Sequence, residues 1–152
     1  EEGGEFSPFE PGDFVTEDGK VLGHHKGIIH YTIGQRRGLG IPAASRLYVC
    51  EISPKTNTVV LGDNADLFSS ELEADSVNLI SVDSLTEPKR VTAKIRYRHK
   101  EQPATAWQTP DGILHVKFDE PQRAITKGQA VVMYDGDEVV GGGVINKIYS
   151  QS

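Results

Sequence analysis

"KRVTAKIRYRHK", residues 89–100, decides how the rest of the chain is read. Apolar and polar side chains alternate through it. Val91, Ala93, Ile95 and Tyr97 fall on one face, and Arg90, Thr92, Lys94, Arg96 and Arg98 on the other. A period of two marks a strand with one buried side and one outward side. The outward side is basic: seven of these residues are Lys, Arg or His, and none is acidic. On a strand, Arg96 and Arg98 stand roughly 6.5–7 Å apart, near the spacing of successive phosphates. Tyr97 either stacks on a base or fills the core, and the alternation favours the core.

The same grammar extends outward. "TAWQTPDGILHVKFDEP" (105–121) reads as a hairpin turning at Pro110-Asp111-Gly112. "QAVVMYDGDEVVGGGVI" (129–145) reads as another, turning at Asp135-Gly136, with Gly141, Gly142 and Gly143 marking a strand crossing or bulge. Upstream, "DFVTEDGKVLGHH" (13–25) turns at Asp18-Gly19. "RLYVCEISPKTNTVVLGD" (46–63) has strands near 46–52 and 58–62, and "IIHYTI" (28–33) is a further strand candidate. "NADLFSSELEADSVNLI" (64–80) reads as one helical turn followed by a strand, and "SVDSLTEPK" (81–89) as a loop. No helix of ordinary length is indicated. The fold class expected is mainly β, closing as a barrel in the second half. Apolar patterning is weakest near 66–75. The expected domains are therefore a linker or vector-derived segment at 1–10, a small central β domain at 11–70 and a C-terminal β-barrel at 71–152.

Bulk composition is that of a globular protein, with 152 residues, 37% hydrophobic and 25% charged. No apolar run of about 18 residues is present, and no membrane partner is expected. The N-terminus carries no secretory h-region. The single cysteine, Cys50, cannot form an internal disulfide, and a cytoplasmic location is expected. A net charge of −6 gives no global attraction for nucleic acid, so any polyanion site must be a local patch.

Two patches qualify. One is "GQRRGLG" (34–40), where Gly34, Gly38 and Gly40 frame Arg36 and Arg37. Planar guanidinium forks suit phosphate, yet no Gly-Lys-Ser/Thr follows, so this is not a nucleotide-binding P-loop. A solvated surface loop is the competing reading. The other is the basic strand, where the lack of a neighbouring acid to pair with the arginines favours a polyanion over a solvated face. Gln129, entering an apolar strand, is either an edge residue or a nucleic-acid contact. His24, His25, His30 and Cys50 lack zinc-ligand spacing, and Cys50 reads as a small buried hydrophobe. Asp119 and Glu120 are adjacent, which does not suit two carboxyls converging on a substrate. No nucleophile, base and orienter stand together.

"YTIGQRRGLGI", "KIRYR" and "FDEPQRAITKGQAVVMYDGDEVVGGGVI", in this order and spacing, resemble the C-terminal half of the bacterial tRNA-specific 2-thiouridylases. The resemblance covers roughly residues 11–146. It implies a small β-rich central domain and a β-barrel like the second domain of elongation factors. It also implies an enzyme that adenylates C2 of the wobble uridine in the lysine, glutamate and glutamine tRNAs and replaces the oxygen with persulfide sulfur. The family's ATP-binding domain, with its magnesium and catalytic cysteines, has no counterpart here. This chain is accordingly expected to be inactive alone and to hold no cofactor or metal of its own. The partners implied are tRNA, the N-terminal catalytic domain and a sulfur-carrier protein. By the resemblance, Arg96, Tyr97 and Gln129 contact tRNA, and the loop bearing Arg36 and Arg37 flanks the catalytic cleft. Arg98 joins them on its charge and position. The alternative reading is a protein-interaction module that docks the catalytic domain or a sulfur carrier.

Overall fold

The computed structural model describes residues 5–42 and 46–149. Two compact units divide the chain, Glu1–Leu67 and Phe68–Ser152.

The first unit is a four-stranded sheet. Its strands are β1 (Gly12–Val15), β2 (Val21–His25), β3 (Tyr48–Ser53) and β4 (Thr58–Gly62), in the order β2-β1-β4-β3. β1 and β2 form the hairpin expected around Asp18-Gly19, where Gly19 takes a φ of 92° that an L side chain adopts at a cost. β3 and β4 form the second hairpin, and β1 runs parallel to β4. Phe14, Leu39, Val49, Val59 and Leu61 make the core of this unit.

Residues 28–33 are not the strand that the apolar run predicted. Ile28–His30 form a 3-10 turn, entered through Gly27 at a φ of 122°. Tyr31 packs edge-on to Phe14, with ring centroids 5.2 Å apart and planes at 84°. Ile28, Tyr31 and Ile33 all pack against the sheet core. A short apolar run satisfies burial in either conformation, and here the glycine and the packing win over the ladder.

The second unit is a closed barrel. Its strands are β5 (Phe68–Leu79), β6 (Lys89–Lys94), β7 (Gln102–Gln108), β8 (Leu114–Arg123), β9 (Ala130–Asp135) and β10 (Glu138–Ile148). They close in the order β10-β5-β8-β7-β6-β9, with β9 returning to β10 and every pairing antiparallel. Closure leaves no sheet edge open to pair with another chain. Period-two positions fill the interior: Leu72 and Ala74, Val91 and Ala93, Ala104 and Ala106, Leu114, Val116 and Phe118, Val131 and Met133. Large side chains on some strands meet alanines on others, which is how a narrow barrel is filled without voids.

Gly141, Gly142 and Gly143 sit where β10 binds β5 on one side and β9 on the other, and register shifts flank them. A Cβ on Gly142 would stand 2.2 Å from the Val131 carbonyl oxygen, and one on Gly141 2.4 Å from that of Asn78. The glycine run is thus the seam of the barrel and not a binding loop.

Candidate nucleic-acid interface

β6 ends at Lys94, and its ladder with β7 stops at the Ala93–Gln102 pair. The chain then bends through residues 95–99, with the His99 N–H donating to the Arg96 carbonyl at 3.1 Å. Arg96 and Arg98 therefore do not share a strand face, as the alternation implied. The Arg96 guanidinium turns back to the segment between β8 and β9. Its Nη1 donates to the Arg123 carbonyl at 3.0 Å and its Nη2 to the carbonyl of Ala124. Ala124 is buried at a φ of 57°, and the Thr126 hydroxyl donates to the same carbonyl at 3.0 Å. Partial burial, with the Arg123 charge nearby, lowers the Arg96 pKa from its ordinary value.

Tyr97 occupies the apex of the bend and is 93% exposed. The core position favoured by the alternation is not observed. The strand ends before Tyr97 is reached, so the period-two phase has no interior left to point to. Val91, Ala93 and Ile95 are buried as the pattern requires.

Gln129 immediately precedes β9. Its N–H lies 3.4 Å from the Thr126 carbonyl, and its own carbonyl accepts from the Ile145 N–H at 2.9 Å. The residue stays exposed, with no side-chain hydrogen bond among the described residues. Because Arg96 holds the carbonyls of Arg123 and Ala124, it ties the Tyr97 bend to the connection that delivers Gln129.

Between these two pieces of chain lies an open groove of ≈ 740 Å³. Residues 94–99 line it together with Gln129, Ala130, Val132 and Tyr134, Lys94 lying beside Val132 in the β6–β9 ladder. Four of these ten residues are Lys, Arg or His and none is acidic, on a chain with 22 acids and 16 Lys plus Arg. Lys94 Nζ stands 5.9 Å from the Tyr134 ring centroid. Arg98 has no ion-pair partner among the described residues.

Elsewhere in the basic stretch the acids missing from the local sequence arrive from other strands. Arg90 binds Asp119 through both guanidinium nitrogens at 2.7 Å. That fork lowers the Asp119 pKa and raises that of Arg90. Lys89 pairs with Asp135 at 3.0 Å. The expectation that this stretch lacks acid partners is overturned for Lys89 and Arg90, and their charges are already matched. Asp119, whose adjacency to Glu120 does not suit catalysis, is Arg90's partner.

The structure thus brings Arg96, Tyr97, Arg98 and Gln129 to one groove. It adds Tyr134, whose outward phase follows in the sequence from the alternation with Val131 and Met133, which point in. Arg36 and Arg37 belong to the first unit. Gly34, Gly38 and Gly40 there have φ of 92°, 77° and 76°, and Leu39 between them is buried. The Gln35 side chain accepts from the Thr32 N–H at 3.0 Å and donates to the Arg37 carbonyl at 2.8 Å, which shapes the loop. Both arginines are exposed, and Arg36 lies over the Tyr48 ring at 5.9 Å.

The histidines are used structurally. His25 is buried against the Asn57 carbonyl (2.9 Å) and the Gly27 N–H (2.9 Å), and His24 pairs with Asp13 at 2.8 Å. Cys50 is only half-buried, because a register shift between Val49 and Glu51 turns it away from the core. Burial, then the Asp66 carboxylate, pushes its thiol up to about 11. A thiol this poorly ionised is a weak nucleophile at neutral pH. Among the described residues no group of three or more His, Cys, Asp or Glu is placed to hold a metal ion. No helix among them is long and apolar enough to cross a membrane.

Comparison with known proteins agrees with the two-unit division of the fold. A family profile described as "tRNA methyl transferase PRC-barrel domain" matches residues 4–63. A second, "Aminomethyltransferase beta-barrel domain", matches residues 69–145. Among curated relatives, the tRNA-specific 2-thiouridylase MnmA of Clostridioides difficile (strain 630) is 59% identical over 138 residues, 91% of this chain and 38% of the relative. The protein of the same name from Acetivibrio thermocellus is 56% identical over 136 residues, 90% of this chain and 38% of that protein. That of Koribacter versatilis is 50% identical over 145 residues, 95% of this chain and 39% of the relative. The chain therefore spans little more than a third of the length of the curated relatives it matches.

Proposed function

This chain belongs to the tRNA-specific 2-thiouridylase family, and we propose that it holds the tRNA while a separate domain performs the chemistry. The observation that carries this reading is the barrel groove, with four basic side chains and no acid on a chain of net charge −6. Attraction for a polyanion on an acidic protein must be local, and this is where it is local.

In this reading the substrate is a tRNA whose wobble uridine receives sulfur at C2, as in the lysine, glutamate and glutamine tRNAs. Adenylation with ATP and magnesium and the transfer of persulfide sulfur are assigned to an N-terminal domain supplied by a sulfur-carrier protein. The residues present here bind and orient. Arg98, His99 and Lys94 meet backbone phosphate. Tyr97 and Gln129 contact the RNA, and Arg96 ties the bend that carries Tyr97 to the connection that leads to Gln129. Arg36 and Arg37 give a second, looser phosphate contact on the first unit. Such work belongs in the cytoplasm.

A second reading is favoured by one observation. Phe9 and Ile29 are exposed on the first unit, where the Ile29 N–H donates to the Pro8 carbonyl at 3.0 Å. Exposed apolar side chains so placed suit a protein partner such as the catalytic domain or the sulfur carrier.

Binding of tRNA across a salt series separates the two. With three to five phosphates neutralised, log K falls against log salt with a slope of roughly −2 to −4.5. Arg98→Ala is expected to reduce the magnitude of that slope by about 0.7–0.9. No binding at low salt by a folded sample leaves protein docking as the function of these domains.

A further inference from the structure

We propose that the outer face of the β9–β10 hairpin is a pairing surface for a second copy of this chain. The proposal goes beyond the tRNA-holding reading and does not depend on it.

The outward positions of this hairpin lie directly opposite one another in register: Tyr134 with Val139, Val132 with Gly142, and Ala130 with Val144. None of them is charged. Val139 and Val144 are each 37% exposed. Ile80, whose N–H donates to the Val140 carbonyl at 2.8 Å, continues the apolar surface and is 63% exposed. The outer face of the β5–β8 ladder is opposite in kind, with Glu71 against Lys117 and Glu73 against His115. A contiguous apolar patch on the outside of a barrel suits contact with protein. Such contact is made face to face, since closure leaves no strand edge to extend.

Two features select a second copy as the occupant. The first is charge. The chain carries a net −6, so two copies repel over most of their surface, and a neutral face is where they can meet. The second is shape. A two-fold axis along the hairpin, between β9 and β10, lays each β9 residue over its own β10 pairing partner in the other copy. Val132 then seats over Gly142, which has no side chain, and Val144 over Ala130, which has a single methyl group. Large meets small at both levels, and Tyr134 meets Val139 at the third. On the flanks, Lys94 lies beside Val132 in the β6–β9 ladder, and Asp75 beside Val144 in the β10–β5 ladder. The same axis brings the Lys94 flank of each copy to the Asp75 flank of the other, so the rims are opposite in sign. The hairpin also supplies Ala130, Val132 and Tyr134 to the basic groove, so pairing covers part of that groove. A contact of one hairpin a side is small, and the association is a weak and reversible one.

Sedimentation of the chain across roughly 1 µM to 1 mM reads the equilibrium between one copy and two, over the range a weak interface occupies. Concentration-dependent dimers are expected. Val144→Glu, at an exposed strand position, should weaken association roughly tenfold or more, because its carboxylate would face Ala130 of the other copy with neither water nor a partner. Ala130→Lys should weaken it in the same way. An equimolar mixture of the two variants should regain association as a heterodimer, since the two new charges then face each other. Melting curves that match the parent distinguish a lost contact from a lost fold. A parent chain that stays monomeric throughout the range overturns the proposal. So does a dimer that Val144→Glu leaves intact, which places the contact on another face. If the parent is monomeric and Val144→Glu instead weakens binding of a separately supplied catalytic domain, the face belongs to that domain and the proposal fails. Binding of tRNA is measured in parallel, and its absence overturns the holding reading while leaving the self-association result standing.

Discussion

Two regions of this chain carry closely spaced arginines, and in the sequence they look alike. Arg36 and Arg37 stand on a glycine-framed loop of an open four-stranded sheet, and Arg96 and Arg98 at the end of a barrel strand. The structure separates them by what surrounds each side chain. On the loop, both guanidinium groups project outward and one lies over a tyrosine ring. At the barrel, one arginine is spent on two backbone carbonyls and the other faces a groove with an exposed tyrosine and a free amide. A pair of arginines does not make a site. A site arises where one charge fixes the geometry and another stays available beside groups that can read a ligand.

That contrast can be broken most severely through the barrel itself. Gly142→Val places side-chain atoms on the Val131 carbonyl, 2.2 Å from where the Cβ must stand. A loss of more than about 4 kcal/mol is expected, in the range where a domain no longer folds, together with loss of tRNA binding. A variant that melts like the parent in urea would contradict the seam described for β10. In the first unit, His25→Ala removes a buried ring joined to Asn57 and Gly27, and should cost about 2–3 kcal/mol. The barrel groove should keep its tRNA affinity in this variant, measured with the sheet still folded.

Arg96→Lys sharpens the comparison further. It retains the charge but cannot fork onto both carbonyls. Affinity for tRNA is expected to fall roughly tenfold, or about 1.4 kcal/mol, with the salt slope unchanged. A slope that drops by nearly a unit would instead make Arg96 a phosphate ligand. The Arg36→Ala, Arg37→Ala double variant should show the smallest effect on binding, two- to fivefold by the same conversion.

Cys50 provides a pH test of the sheet. Its thiol is raised from 9.0 to about 11, chiefly by burial and then by Asp66, so the folded state holds the proton more tightly than the unfolded state. The associated stability is fully present below pH 9 and is lost as pH rises towards 11. Alkylation of the folded protein should accordingly be slow at neutral pH and accelerate only in strongly alkaline solution. Rapid labelling at pH 7 would refute this environment.

Much of the fold was legible because its signals are local. Asp18-Gly19, Pro110-Asp111-Gly112 and Asp135-Gly136 each announce a hairpin within a few residues, and each hairpin is present. Alternation identified Val91, Ala93, Val131 and Met133 as interior. What was misread depended on distant partners. Period two continues through Tyr97, but the ladder stops at Ala93, and only the register with β7 reveals it. The run 28–33 is as apolar as a strand, yet Gly27 and the face of Phe14 turn it into a 3-10 segment. The acids that pair with Lys89 and Arg90 lie 46 and 29 residues away. No local pattern shows that Arg96 is committed to Arg123 and Ala124. The groove is lined by Arg96, Tyr97, Arg98 and Gln129, while Arg36 and Arg37 lie on the first unit.

The central claim is that tRNA lies in the barrel groove. Ultraviolet crosslinking of bound tRNA to this chain, followed by mass mapping of the modified peptides, tests it most directly. Crosslinks concentrated in residues 94–99 and 129–134, with Tyr97 foremost, are the expected result. Crosslinks confined to residues 34–40, with the barrel unmodified, would contradict the account.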